Sequence, residues 1–165
     1  MLEMLYDVKD KVAVVTGSSR GIGKQCALAF AEAGAKLVLN YVSNKQAAEI
    51  TAEEIEGLGA EAIVVQADVK DFEACLALGE EAISKFGKID FLVNNAGINR
   101  DITFSRMSQE EWQEVIDTNL GALFNMSKAC VPHMRDNGFG SIVSISSIIG
   151  ETGNIGQSNY AATKS

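Results

Sequence analysis

The chain is poor in the residues that disulfide frameworks and histidine-based metal sites require. Its 165 residues include only one histidine, His133, and one proline, Pro132. The three cysteines lie far apart and form no Cys-x-x-Cys pair, which fits a reducing compartment better than a disulfide framework. They are Cys26, Cys75 and Cys130. With a single histidine, we expect no metal site.

The chain also lacks a positive charge excess and any long apolar run. Its 14 Lys and Arg face 22 Asp and Glu, a formal net charge of −8, which argues against nucleic acid and against anionic membrane surfaces. No stretch approaches the roughly 18 apolar residues of a membrane span. The opening MLEMLYDVKD has no apolar run long enough for a signal peptide. We therefore expect a cytoplasmic protein with no nucleic-acid or membrane partner.

The length and the 47% hydrophobic content predict one globular domain over residues 1–165. Five short apolar runs are each too short for an independent helix, and they predict buried strands that are apolar on both faces. These runs are Lys11–Thr16, Lys36–Tyr41, Glu61–Ala67, Ile89–Asn94 and Ser141–Ser146.

The segments between these runs have helical periodicity and recognisable ends. Capping boxes are predicted at Ser43–Gln46 and at Ser108–Glu111, and Pro132 is expected to kink a long helix. Helix-ending glycines are expected at Gly34, Gly59 and Gly87. Strands that alternate with helices predict a three-layer, doubly wound parallel α/β sheet of Rossmann type, with strand order 3-2-1-4-5.

A glycine-rich turn joins the first strand to an alanine-rich helix. Such a turn brings backbone N–H groups and the positive end of a helix dipole to a diphosphate, although an ordinary tight turn is the alternative. Its strand–turn–helix context favours dinucleotide binding. The predicted contacts are Gly17, Ser18, Ser19, Arg20, Gly21, Ile22 and Gly23.

The end of the second strand favours NADP over NAD. NAD-binding sites of this type usually have an acidic residue there, whereas residues 37–44 contain no Asp or Glu. Asn40, within this segment, is included among the predicted cofactor contacts. Arg20 could pair with a 2′-phosphate, and its alternative is a solvated surface charge.

Polar residues follow the third and fourth strands, at the strand ends where open α/β sheets bind ligands. Asp68, followed by Val69, could hold the adenine edge or could simply cap the next helix. Asn95 could face the ligand or sit in a left-handed turn before Gly97, with Ala96 between them.

Tyr160 and Lys164, four positions apart on a predicted helix, share one face of that helix, with Cβ atoms about 5–6 Å apart. An ammonium near a phenol stabilises the phenolate. On spacing alone, the pair is also common on exposed helix faces.

Together these motifs resemble the short-chain dehydrogenase/reductase family. The motifs are Thr-Gly-x-x-x-Gly-x-Gly, Asp-Val, Asn-Asn-Ala-Gly, Thr118-Asn119, a serine thirteen residues before tyrosine, and Tyr-x-x-x-Lys. The resemblance implies that Tyr160 protonates a substrate carbonyl oxygen and that Lys164 assists it and binds the nicotinamide ribose. It also implies that Ser147, rather than its neighbour Ser146, polarises the carbonyl, and that Asn119 anchors a water.

The resemblance is greatest to reductases of 3-ketoacyl thioesters. It implies NADPH-dependent reduction of an acyl-carrier-protein or CoA thioester such as acetoacetyl-CoA, and a homo-oligomer, a dimer of dimers. Alternatives are a reductase of a sugar, steroid or quinone, or a non-catalytic cofactor-binding fragment. Family members continue past Tyr-x-x-x-Lys with further strands, so the chain is expected to be a truncated NAD(P)-binding domain.

Overall fold

A computed structural model of the chain describes residues 8–165. Residues 1–7, most of the opening segment in which no signal peptide is expected, lie outside the described residues. Five parallel strands form one sheet in the order β3-β2-β1-β4-β5, which confirms the doubly wound fold. The strands are β1 (Val12–Val15), β2 (Lys36–Tyr41), β3 (Ala62–Gln66), β4 (Phe91–Asn94) and β5 (Ser141–Ser144).

Helices cover both faces of this sheet. They are α1 (Gly21–Glu32), α2 (Lys45–Gly57), α3 (Phe72–Phe86), α4 (Gln109–Ile116), α5 (Ala122–Asp136), α6 (Ile149–Thr152) and α7 (Ser158–Lys164). Along β1, Val12 and Val14 pack towards α3 and α5, while Ala13 and Val15 pack towards α1 and α2. Because successive strand residues face opposite sides, a strand that is buried on both sides must be apolar throughout. No helix within residues 8–165 is both long and apolar enough to cross a membrane.

The fifth strand differs from its prediction. The sequence predicts a buried strand, yet all four residues of β5 are exposed, with Ile142 at 40% and Val143 at 51%. The physical reason is position, because β5 is the last strand of the order and pairs with β4 alone among the described strands. The apolar run alone predicts burial, whereas the predicted order 3-2-1-4-5 places β5 at the edge of the sheet, and the structure agrees with the order.

Most of the predicted helix ends are confirmed. Gly34, Gly59 and Gly87 all have positive φ, and Ser108 forms the predicted capping box with Glu111. The capping box predicted at Ser43 is wrong, because Asn44 is the N-cap of α2 and accepts from the Ala47 N–H at 3.0 Å. Asn44, one position closer to the helix than Ser43, makes the capping bond, and Ala47 has no polar side chain that could bond back to the N-cap. Pro132 lies inside α5, which continues to Asp136.

A short π-helical turn that sequence reasoning missed joins α4 to α5. It spans Asp117–Gly121, so that residues 109–136 run on as one helical rod with an over-wide turn in the middle. The Ala122 N–H reaches back to the Asp117 carbonyl. Such π-bulges occur frequently at functional sites, and this one contains Asn119.

Candidate active site

The glycine-rich turn between β1 and α1 is shaped by close approach as well as by backbone conformation. Gly17 has φ +60°, and a Cβ there would lie 3.0 Å from the Ala96 Cα. A Cβ on Gly23 would overlap the Asn95 Nδ2 and would lie 2.6 Å from the Gly17 carbonyl oxygen. A side chain at either position would therefore separate the turn from the end of β4.

Asn95 and Thr16 join the ends of β1 and β4. The Asn95 Nδ2 donates to the carbonyl oxygens of Thr16 and Gly17, at 2.9 and 3.1 Å. In return, the Thr16 hydroxyl oxygen accepts from the N–H groups of Asn95 and Ala96 at 2.9 and 3.0 Å. These bonds fix the glycine turn against the neighbouring strand of the sheet. In the sequence, Thr16 is only one part of the glycine-turn motif. The motif did not predict that the Thr16 hydroxyl group joins the ends of β1 and β4.

The side chains of Ser18 and Asn40 are buried behind the turn, and neither residue lines the cavities at the strand ends. Their exposures are 0% and 1%, and the Ser18 Oγ accepts from the Asn40 N–H at 3.0 Å. The Asn40 Oδ1 accepts from the Gly17 N–H at 3.2 Å, and its Nδ2 donates to the Ala67 carbonyl at 2.9 Å. The prediction of direct cofactor contact is corrected for these two side chains, which instead position the turn. Val69, at 1% exposure, has its side chain in the core as well.

A cavity of about 510 Å³ opens at the carboxyl ends of the strands, beside the N-terminus of α1. Exposed Arg20, the residue before α1, lies in its wall. Asp68 also lines it, and its Oδ1 accepts from the Lys70 N–H at 3.0 Å. The alternative that Asp68 caps the next helix is wrong, because Asp71 is the N-cap of α3. Predicted residues in this wall are Gly17, Ser19, Arg20, Gly21, Ile22, Asp68, Val69, Asn95, Ala96 and Gly97. Bare backbone at the start of a twelve-residue helix suits a diphosphate, so these residues fit the diphosphate of a dinucleotide.

A second cavity, of about 460 Å³, continues from the first. The two share four wall residues, Ile22, Asn95, Gly97 and Ile98. The second cavity is lined by Ser146, Ser147, Tyr160 and Lys164. The cleft thus joins the predicted cofactor residues to three of the four predicted catalytic residues.

Lys164 lies in the wall of this second cavity. Its Nζ donates to the Ile145 carbonyl at 2.6 Å and lies 5.8 Å from the centroid of the Tyr160 ring. Removal from water lowers the pKa of Lys164 from its ordinary value, because burial penalises the ammonium. The lysine and the phenol thus lie on one face of α7, as their spacing predicts.

The two neighbouring serines differ in what their hydroxyl groups do. The Ser146 hydroxyl donates to the Lys164 carbonyl at 2.5 Å. The Ser147 Oγ accepts from the Ile149 N–H at 3.2 Å, a bond that does not use the serine's own proton. Ser147 is therefore the better placed of the two to donate to a ligand in the cavity.

Asn119 lies in the π-helical turn and is only 1% exposed. Its Oδ1 accepts from the Ile98 N–H at 2.8 Å, and its Nδ2 donates to the Ile98 carbonyl and the Thr163 hydroxyl at 2.9 and 3.1 Å. The side chain therefore ties the loop after β4 to α7, and it lines neither cavity. Within residues 8–165, no three histidine, cysteine, aspartate or glutamate residues cluster as metal ligands would.

Comparison with known proteins agrees with this geometry. A family model described as short chain dehydrogenase matches residues 11–165. A 3-oxoacyl-[acyl-carrier-protein] reductase, FabG, from Staphylococcus aureus (strain N315) is 46% identical over 154 residues, which are 93% of this chain and 63% of the relative. The 3-oxoacyl-[acyl-carrier-protein] reductase of Synechocystis is 47% identical over 93% of the chain and 62% of its own length.

Among solved structures, a protein described as a short-chain alcohol dehydrogenase from Sinorhizobium meliloti superimposes with a TM-score of 0.92 at 34% identity. The match covers 96% of this chain and 62% of that one. The chain thus spans less than two thirds of the length of these relatives.

Proposed function

This chain belongs to the short-chain dehydrogenase family, and on that basis we propose that it carries the cofactor site and catalytic residues of an NADPH-dependent 3-oxoacyl thioester reductase. The observation that carries the proposal is the continuous cleft, in which the wall that bears Ser147, Tyr160 and Lys164 adjoins the cavity of the glycine turn. Fold and cleft alone would suit many oxidoreductases. The names of the relatives favour a 3-oxoacyl group.

Each side chain in the second cavity has a distinct role in this proposal. When bound, the nicotinamide supplies the hydride. Tyr160 donates a proton to the substrate's carbonyl oxygen, and the Ser147 hydroxyl donates a hydrogen bond to the same oxygen. The Lys164 ammonium stabilises the phenolate left on Tyr160 and binds the nicotinamide ribose. The oxygen would thus receive hydrogen bonds from two sides as charge develops on it.

Asn119 is expected to anchor a water, but its side chain lines neither cavity. Both of its Nδ2 protons are used by Ile98 and Thr163, its Oδ1 accepts from the Ile98 N–H, and the side chain is buried. A water in the cleft would therefore bind the backbone of the π-helical turn instead. A π-helical turn shifts carbonyl groups out of the regular hydrogen-bond ladder. We propose that Asn119 supports the proton relay through the shape of this turn.

NADPH is proposed over NADH because of the charge around the first cavity. Residues 41–44 line it without a carboxylate, and Arg20 is exposed at its wall. Glu114, which also lines the cavity, is paired with Arg100 through two bonds of 2.8 and 2.9 Å. A 2′-phosphate would therefore face a guanidinium rather than an unpaired acid at this end.

A direct test measures NADPH and NADH binding by fluorescence and NADPH oxidation by absorbance. Acetoacetyl-CoA and acetoacetyl-acyl-carrier protein are compared with a sugar ketone, a steroid ketone and a quinone. Turnover with a thioester supports the proposal, and the ratio of the two thioesters separates CoA from carrier-protein substrates. Preference for another ketone, or tight NADPH binding with no turnover, would contradict it. The latter result would favour a cofactor-binding fragment, while tighter binding of NADH would contradict the cofactor assignment.

A further inference from the structure

Helix α7 begins without a conventional N-cap. The residue before it, Gln157, makes no side-chain hydrogen bond to the first turn, although the first N–H groups of any helix lack partners within the helix. One of them is satisfied from inside the turn, where the Asn159 Oδ1 accepts from the Tyr160 N–H at 2.8 Å. The backbone of the proposed proton donor is thus held by the side chain of the residue before it.

The other end of the same amide reaches across to a different loop. The Asn159 Nδ2 donates to the Arg100 carbonyl at 3.1 Å, and Asn159 is 0% exposed. Arg100 is itself fixed, because its guanidinium forms two bonds to Glu114 of α4 and one to the Asn99 carbonyl at 3.0 Å. The position of Tyr160 is therefore linked through Asn159 to α4, which also walls the cofactor cavity.

Two more hydrogen bonds join the same pair of loops. The Gln157 Nε2 donates to the Asp101 Oδ1 at 2.9 Å, and the Ile102 N–H donates to the Gly156 carbonyl at 2.9 Å. An ionised aspartate only accepts hydrogen bonds, so Asp101 also fixes which end of the Gln157 amide faces it. Residues 100–102 therefore hold residues 156–159 at three successive points.

We propose that Asn159 is a positioning residue that sets the place of the Tyr160 hydroxyl in the cleft. The three contacts between residues 100–102 and residues 156–159 are called the brace, and the Asp101–Gln157 pair is its second side-chain contact. The inference rests on the proposed function for its catalytic meaning. Gln157 makes no side-chain bond to the first turn of α7, and forming the first turn of a helix is unfavourable without other contacts. The start of this helix therefore depends on the loop to which it is tied. An error of about 1 Å at a reacting group can cost roughly a hundredfold in rate.

The test compares Asn159→Ala with Ser158→Ala, which removes a neighbouring polar group whose hydroxyl lies 3.9 Å from the Met107 sulfur. Hydrogen exchange at the Tyr160 amide is measured on the chain as it stands and needs no turnover. We expect exchange at least about tenfold faster in Asn159→Ala and unchanged in Ser158→Ala. Equal exchange in wild type and Asn159→Ala would overturn the brace, whatever the chain's activity.

Kinetics then tests positioning against simple loss of folded protein. In Asn159→Ala, kcat should fall by roughly tenfold to a hundredfold with the NADPH dissociation constant unchanged. The primary deuterium isotope effect from NADPH labelled at the transferred hydrogen should rise, because a displaced Tyr160 slows the chemical step. A merely structural role would lower the active fraction and leave the isotope effect unchanged, which would overturn the proposal.

A second variant covers the case in which the buried substitution does not fold. Asp101 is exposed, and Asp101→Ala removes the other tie without opening a buried cavity. In Asp101→Ala we expect smaller changes of the same kind in amide exchange, kcat and the isotope effect. Exchange at the Tyr160 amide as slow as in the wild type would also count against the brace. If the wild-type chain turns over no ketone, the proposed function fails on that result, and amide exchange alone decides the brace.

Discussion

At the scale of the single residue, the proposed chemistry depends most on the Tyr160 hydroxyl group. Tyr160→Phe removes only this oxygen from the cavity wall, while the glycine turn and Arg20 remain in place. We expect NADPH binding to be retained and turnover to fall by about 10²–10⁴-fold, the usual contribution of a positioned general acid. Fluorescence titration and steady-state kinetics measure the two quantities. Near-normal turnover with intact NADPH binding would remove Tyr160 from the role of proton donor.

The residue scale also shows where sequence reasoning about the site succeeds and where it stops. The order and spacing of the motifs predicted that Ser147, Tyr160 and Lys164 lie together, and all three line one cavity. This prediction succeeds because strand ends and helix spacing determine which side chains meet. Asn40 could not be assigned in this way. Its 1% exposure and its bonds to Gly17 and Ala67 depend on how β2 and β3 pack behind the turn, which no local pattern records. The same holds for the tie between Asn159 and Arg100, residues far apart in the chain.

At the scale of the element, two buried thiols at the packed helices α3 and α5 predict a pH dependence of stability. Burial raises the pKa of Cys75 to about 11 and of Cys130 to about 12, from an ordinary value of 9.0. Between pH 9 and pH 11 the native state therefore binds more protons at these sites than the unfolded chain. Their stabilising contribution is complete below about pH 9 and is lost as the pH rises to about 11 for Cys75 and about 12 for Cys130.

Urea unfolding across that window tests the thiol prediction. The free energy of unfolding should fall less steeply with pH in the Cys75→Ala/Cys130→Ala double variant than in the wild type. Cys26→Ala, which removes the half-buried thiol outside this interface, is the matched control. Equal slopes in the double variant and the wild type would contradict the prediction.

Two helical glycines predict opposite responses to the same substitution. At Gly79 of α3, a Cβ would lie 3.0 Å from the Ala129 carbonyl oxygen of α5, whereas at Gly57 of α2 no described atom lies within 4 Å. Overpacking costs about 1–3 kcal/mol, against a gain of up to about 1 kcal/mol in helix propensity. Gly79→Ala should therefore destabilise the chain, and Gly57→Ala should stabilise it. Denaturant midpoints measure both, and equal shifts in the two variants would be inconsistent with this packing.

Elements were easier to predict from the sequence than their surroundings. The apolar runs identified all five strands, since a strand between two helical layers must be apolar on both faces. The apolar run of β5 wrongly predicts burial, whereas the predicted strand order correctly places β5 at the edge, because exposure depends on position in the topology and not on composition alone. The π-helical turn at Asp117–Gly121 was not predicted, because its residues fit an ordinary helical pattern and only the backbone bond from the Ala122 N–H to the Asp117 carbonyl distinguishes it.

At the scale of the whole molecule, the exposed edge strand β5 predicts self-association. Among the described strands β5 pairs with β4 alone, and such an edge with apolar side chains can pair with a second copy, while the net charge of −8 opposes contact. A lysine on an edge discourages such pairing, so Val143→Lys should lower the concentration-dependent increase in sedimentation coefficient. Ile50→Lys, at a similarly exposed position on α2 (46%), is the control. Equal effects of the two substitutions would show that charge alone, and not the edge, governs association.

The crowding at position 23 limits which substitutions this fold can accept. A methyl group there would overlap the Asn95 amide and would also lie 2.6 Å from the Gly17 carbonyl oxygen. Shortening Asn95 removes its bonds to Thr16 and Gly17 and still leaves the backbone oxygen in the way. A change at position 95 therefore cannot rescue a change at position 23, so a lineage is expected to keep glycine at position 23 whatever residue stands at position 95.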